Sequence, residues 1–167
     1  MKEGQMKNRF FADPYKLAAA VGTMAACLLL CLLNLLRGDL WGLLFLIPGL
    51  PFLYVAYLYG TVVEVAAEEI RVFRLGRQVR AMPWAEVAEM GVAGMKVFNK
   101  NNPDKTGALY IYFSPVELDE EGRFRMALKW PPKEQIYLLY TKERMDYIRP
   151  FWFGKVQQYN AGKDLRV

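Results

Sequence analysis

Histidine is absent from this 167-residue chain, and serine occurs once, as Ser114 just before Pro115. The two cysteines, Cys27 and Cys31, lie four residues apart inside an uncharged apolar run. Ser–His and Cys–His nucleophiles need an imidazole base, so composition excludes both. A zinc site of the usual Cys/His kind has no ligand set either. Carboxylates remain, and Glu117, Asp119, Glu120 and Glu121 form a cluster. A hard-cation loop spaces its oxygen ligands around a committed turn; this run fits a solvated acidic turn instead. No glycine-rich phosphate loop of recognised spacing occurs. The expectation is a protein with no catalytic centre, no cofactor and no metal.

Around these residues lie two long apolar stretches, 17–36 and 40–60, neither carrying a charge, joined by Arg37-Gly38-Asp39. An α-helix needs roughly 20 apolar residues to cross a hydrocarbon core about 30 Å thick, and each stretch meets that length. So short a link leaves room only for a tight helical hairpin. The first stretch is too long for a cleaved signal, and a second follows at once. Met24-Ala25-Ala26-Cys27 resembles a lipoprotein cleavage box, but processing there would leave Leu28-Leu29-Leu30 where a polar tether belongs. The expected organisation is a cytoplasmic segment over 1–16, a transmembrane hairpin over 17–60 and a folded cytoplasmic domain over 61–167. That last part is long enough for one small domain with its own core.

Lys and Arg number 22 against 17 acidic residues, a net charge of +5. Lys2, Lys7, Arg9 and Lys16 precede the hairpin, and Arg71, Arg74, Arg77 and Arg80 follow it. Basic residues mark the cytoplasmic side of membrane helices, so both termini are expected in the cytoplasm of a multi-pass cell-membrane protein. Phe10, Phe11, Tyr15, Tyr54, Tyr57 and Tyr59 suit that interface, and Trp41 suits the opposite one. Ala18, Gly22 and Ala26 repeat every four residues and make a smooth face for close helix packing. Its partner is either the second span or another copy in a homo-oligomer. Pro48 and Pro51 predict a kink near mid-membrane. The basic residues have no aromatic platform or reading helix around them, so no nucleic-acid partner is expected.

From Thr61 the apolar period changes to two, and strands are expected over 61–66 and 69–75. Gly76-Arg77 then reads as a type II′ turn. Pairing across it places Ile70, Val72, Val79 and Ala81 on the core face, with Arg71, Phe73, Arg80 and Met82 opposite. Arg71, Phe73 and Arg80 are therefore the candidate membrane-contact residues, held near anionic headgroups by the tether. Residues 83–94 fit either a helical turn or a strand, and 95–107 read as a polar loop. Residues 109–113 form the clearest β segment. Phe124, Met126, Leu128 and Trp130 alternate with polar or small residues and read as another strand, followed by one over 135–140. Thr141 caps a final helix whose apolar face is Met145, Ile148, Trp152, Val156 and Tyr159, bent at Pro150. The expected core includes Ile70, Val72, Ile111, Phe124, Leu128, Leu138 and Trp152.

Seven candidate strands followed by one amphipathic helix resemble a pleckstrin-homology (PH)-like antiparallel β-barrel closed by a C-terminal α-helix. The likeness is nearest to the bacterial PH-domain membrane proteins, in which paired spans precede such a domain. It rests on Glu69-Ile70-Arg71-Val72 with its hairpin, on Ala81-Met82-Pro83-Trp84-Ala85-Glu86-Val87, and on the run from Tyr140 through Ile148 to Tyr159. Where phosphoinositide-binding PH domains carry basic residues around the first loop, this chain has Ala66-Ala67-Glu68-Glu69, which does not suit a phosphate pocket there. The resemblance implies an α+β membrane protein that binds or scaffolds a protein partner at the bilayer, without enzymatic activity. The alternative is a small accessory or immunity-type membrane protein whose hairpin meets a larger membrane partner or peptide.

Overall fold

The computed structural model describes residues 8–96, 106–128 and 131–160. Helix α1 (Pro14–Leu36) begins at Asp13, whose side chain accepts the Lys16 N–H at 3.1 Å, with Pro14 in the first turn where an N–H is not required. It ends at Gly38, whose φ of +79° lets the chain reverse direction. Asp39 then accepts the Trp41 N–H at 2.9 Å and opens a 3-10 segment, Leu40–Phe45, that passes into α2 (Leu46–Tyr59). Pro48 and Pro51 cannot donate to the carbonyls four residues back. The helix type changes ahead of Pro48, at the start of the span, whereas Pro51 lies inside the continuous α2.

Helix α1 and the run Leu40–Tyr59, the 3-10 segment together with α2, are long and apolar enough to cross a membrane, and only 11% and 6% of their most apolar windows are buried within the chain. A core helix of a soluble protein would be mostly covered. The two helices meet along Ala20, Cys27 and Cys31 of α1, while Ala18, Gly22 and Ala26 stay exposed. On the other side the small residues are Gly42 and Gly49. A Cβ on Gly42 would stand 2.6 Å from the Asn34 Cβ, and one on Gly49 would stand 3.3 Å from the Cys27 Cβ. Close approach is thus supplied by the second helix, so the Ala18/Gly22/Ala26 face is not the one its neighbour uses.

The strands form two four-stranded sheets. The first, in the order β1–β2–β3–β4, is built from β1 (Arg9–Phe11), β2 (Thr61–Val65), β3 (Glu69–Arg74) and β4 (Arg77–Pro83). The second, in the order β7–β6–β5–β8, is built from β5 (Glu89–Lys96), β6 (Thr106–Ser114), β7 (Ile136–Leu139) and β8 (Val156–Asn160). All neighbours are antiparallel except β5 and β8, which are parallel. The Leu139 N–H donates to the Ala12 carbonyl at 2.7 Å where the sheets meet. They do not close into a barrel.

β1 pairs with β2, Arg9 opposite Glu64 and Phe11 opposite Val62, so residues before α1 belong to the sheet that follows α2. The β3–β4 turn is centred on Leu75 and Gly76, both at positive φ (49° and 77°), as a type I′ turn requires. Arg74 therefore faces Arg77, not the pairing that a Gly76-Arg77 turn gives. Val79 forms a bulge, with Val72 opposite Arg80 and Phe73 opposite Gln78. One residue of slip turns a strand over. Met82 is accordingly buried, and Val79 and Ala81 are exposed.

The core lies between the sheets, where Val63, Val65, Ile70, Val72 and Met82 meet Met90, Val92, Ile111, Phe113, Ile136 and Leu138. Ile148 of α4 (Lys142–Ile148) completes it, and Trp152 packs half-buried against it. Two expectations are corrected. Residues 120–128 form helix α3 (Glu120–Leu128), not a strand: Glu120 and Glu121 favour its first turn, and Arg125 its last. Phe124 and Leu128 are 42% and 40% exposed, so neither is core, whereas Met126 is buried against Ala93 and Tyr112. The C-terminal helix is also shorter than its apolar pattern. Pro150 lies in a single 3-10 turn, Arg149–Phe151, after which Val156–Asn160 runs as β8. Of the expected polar loop over 95–107, residues 95–96 end β5 and 106–107 begin β6, so the strands extend into it; residues 97–105 and Trp130 lie outside the described residues.

Candidate functional site

Strand direction gives the domain two ends. β2 starts at Thr61, directly beyond α2, and runs to Val65; β3 returns so that Arg74 faces Thr61. The Leu75–Gly76 turn therefore sits at the hairpin end, while the β2–β3 connection and Trp84, just past β4, sit at the far end.

At the hairpin end a buried polar cluster ties helix to sheet. Asp13 is 2% exposed and accepts the Tyr110 hydroxyl of β6. Lys16 Nζ lies 3.3 Å from Asp13 Oδ2 and 3.2 Å from the Tyr110 oxygen, over the Tyr59 ring at 5.1 Å. Burial, then the hydrogen bond to Asp13, pushes the Tyr110 phenol well above its ordinary range. These groups are paired with one another and tie the start of α1 to β6.

A second cluster clamps α3 onto the outer face of the β5–β6 sheet. Glu89, 4% exposed, accepts Arg123 Nε at 2.9 Å, Arg123 Nη2 at 2.7 Å, the Leu118 N–H at 3.0 Å and the Tyr112 hydroxyl. Burial alone would raise this carboxyl, but the bonds from Arg123, Tyr112 and Leu118 outweigh it and hold it below its ordinary range. Gly91, opposite Tyr112, makes room for the ring: a Cβ there would lie 2.6 Å from the Tyr112 oxygen. Both Glu89 oxygens are met from α3, β6 and the segment before α3, so the cluster ties α3 to the sheet.

The far end carries an aromatic groove of about 370 Å³. Trp84 is fixed by its indole N–H to the Ala66 carbonyl at 2.9 Å, edge-on to Phe113 and stacked on Phe151 at 6.0 Å. Trp152 folds over Gly154, where a Cβ would fall 2.5 Å from the indole ring. Phe153 beside them is 97% exposed. Among the described residues no charged side chain lines the groove. Its chemistry is that of apolar recognition.

The predicted membrane-contact residues are separated. Arg71 and Phe73 share the outer face of β3, where Arg71 pairs with Glu69 at 2.6 Å and Glu64 at 3.4 Å, and Arg9 covers the Phe73 ring at 5.0 Å. Arg80 stands opposite Val72 and so projects from the other face. Phe151 and Phe153 were missed as site residues because the apolar spacing beyond Thr141 read as a continuous helix. Asp13, Glu89 and Arg123 carried no local signal beyond single charges beside apolar segments. Among the described residues no group of three or more His, Cys, Asp or Glu side chains is placed to hold a metal ion. Comparison of the chain with protein-family models, with curated proteins and with solved structures gave no match.

Proposed function

We propose that this chain is a membrane-anchored binding protein that holds its folded domain at the cytoplasmic face and offers the aromatic groove to a protein partner. The observation that carries this reading is the groove around Trp84, Trp152 and Phe153, open at the end of the domain away from the hairpin. Clustered exposed aromatics are the residues that dominate protein–protein binding energy. The exposed apolar flanks of both helices support the anchor. Paired apolar helices ahead of an antiparallel strand run are the part of the bacterial PH-domain likeness that favours it; the open sheets and the terminal strand depart from that likeness.

A second reading has its own support. Ala18, Gly22 and Ala26 are uncovered by the chain's own second helix, and a Cβ on Gly22 would meet nothing within 4 Å. A larger membrane protein, a peptide or another copy packing there makes the hairpin the working part.

Affinity capture of the full chain in mild detergent separates the two. The groove reading expects a stoichiometric partner that Phe153→Ser loses and Gly22→Leu keeps; the hairpin reading expects the reverse. A partner retained by both variants refutes both. Orientation is tested by external thiol labelling of Gly38→Cys and Gly107→Cys in intact cells. Labelling at 107 alone would sink the cytoplasmic placement.

A further inference from the structure

We propose that a pocket at the hairpin end of the domain holds the headgroup of one anionic phospholipid from the surrounding bilayer. This rests on reading α1 and α2 as membrane spans. The pocket, about 580 Å³, lies between the end of α2, β3, β4 and the start of β7. That volume suits a small ligand. Val63, Val72 and Ile136 form an apolar floor, and Tyr54 and Leu58 of α2 form a wall. Arg74, Arg80 and Lys133 supply three cations, and among the described residues no acidic side chain lines it. None of the three has a carboxylate partner among the described residues, whereas Arg9, Lys16, Arg71, Arg123 and Arg125 each have one.

The depth matches a headgroup. From Tyr54 to the helix end at Tyr59 the rise is about 7.5 Å. The polar zone on one side of a bilayer is about 5–8 Å thick. Arg74 is fixed at that level, its Nε donating to Thr61 Oγ1 at 3.3 Å and its guanidinium 5.3 Å from the Tyr57 ring centre. A guanidinium fork matches phosphate oxygens, and a second and third cation nearby select a lipid that brings no ammonium of its own. The apolar floor then receives the glycerol and first methylenes, while Tyr54 and Leu58 continue into the acyl region. A phosphatidylglycerol-like lipid has that sequence of groups; a water-soluble phosphate lacks the apolar part.

The probe is an equimolar mixture of phosphatidylglycerol and phosphatidylcholine offered to the full-length protein in mild detergent, with bound lipid read by native mass spectrometry. One phosphatidylglycerol should be retained in preference. Arg80→Gln with Lys133→Gln should weaken it more than about tenfold, at roughly fivefold for each cation. Arg125→Gln with Lys142→Gln, on exposed helix surfaces elsewhere, should leave it unchanged. Lys133 is exposed, so Lys133→Gln alone preserves the fold and should still lose roughly fivefold. No preference for phosphatidylglycerol, or an equal loss in the control pair, overturns the proposal. Displacement of the lipid by an equal concentration of glycerol phosphate overturns the lipid as occupant. Carbonate extraction of membranes reads the spanning hairpin separately. A chain released by carbonate refutes the spans, whereas a retained chain without lipid preference refutes the pocket alone.

Discussion

Glu89→Gln tests the clamp that holds α3 to the second sheet. The native carboxylate meets the Tyr112 hydroxyl, both Arg123 nitrogens and the Leu118 N–H. Hydrogen bonds to a charged group contribute about 1.5–3 kcal/mol each. Arg123 keeps 21% of its side chain exposed, so once released it recovers much of that from water. Tyr112, 0% exposed, does not. A glutamine offers one acceptor oxygen and turns an amine toward donors, so at least one buried donor goes unmet, at about 1–3 kcal/mol. With the weakened Arg123 bonds the loss comes to about 2–4 kcal/mol. For a domain of this size that lowers Tm by roughly 10–25 °C. The assay is thermal unfolding of the full chain in detergent by near-UV circular dichroism, with hydrogen exchange followed over 118–128. A Tm within about 3 °C of the parent, with exchange in α3 unchanged, would refute the clamp.

The same group sets an acid dependence. Its folded value lies below the ordinary carboxylate range, so its contribution is complete above about pH 4.3 and disappears as pH falls through that lower value. The Tm gap between parent and Glu89→Gln should accordingly be widest near neutrality and close in acid, as melting curves from pH 7 downward would reveal. Leu128→Ala should cost under about 1 kcal/mol because the residue is half-exposed, whereas Ile111→Ala, fully buried, should cost about 2–5 kcal/mol in denaturant titration. In the hairpin, Gly49→Leu should lower the detergent melting temperature by several degrees, since its Cβ lies 3.3 Å from Cys27. Gly22→Leu, which meets nothing, should leave it unchanged.

How far the sequence could be read depended on which force decided each element. The helices were legible because length and absence of charge alone determine them. Residues 109–113 were legible as a strand, since β6 is buried on both faces: Ile111 and Phe113 face the core, while Tyr110 and Tyr112 face Asp13 and Glu89. The β3–β4 hairpin was legible, but its register was not. A leucine at φ 49° is costly, and only tertiary packing makes Leu75-Gly76 win over Gly76-Arg77. Residues 124–128 alternate in polarity, yet over so short a span period two and period 3.6 overlap, and the flanking charges chose helix. At the C-terminal end, Val156 and Tyr159 fit a helical face and a strand alike; Pro150 and a parallel neighbour in β5 decided for the strand. The packing face of the hairpin did leave a signal, in the two glycines of the second span, Gly42 and Gly49, seven residues apart. It was overshadowed by the denser Ala18-Gly22-Ala26 repeat.

The domain's orientation relative to the helices follows from how it is tied to them. A single helix joined by a flexible linker would let a domain tumble at the surface. Here β1 runs into α1 and α2 runs into β2, and the two strands pair with each other. Asp13 and Lys16 at the start of α1 are bonded to Tyr110 of the other sheet, so both sheets grip the hairpin. Rotation of the domain would have to break the strand pairing or expose the buried Asp13. Arg74 and Arg77 stand at the hairpin end, whereas the far end mixes Glu68, Glu69 and Glu86 with Arg149 and Lys155 on either side of the groove residues. On the membrane-anchored reading an anionic bilayer attracts Arg74 and Arg77, which favours the orientation that the covalent connections already impose. On that same reading the aromatic groove, at the end of the domain opposite the hairpin, lies away from lipid, the environment that would otherwise compete for its exposed Phe153.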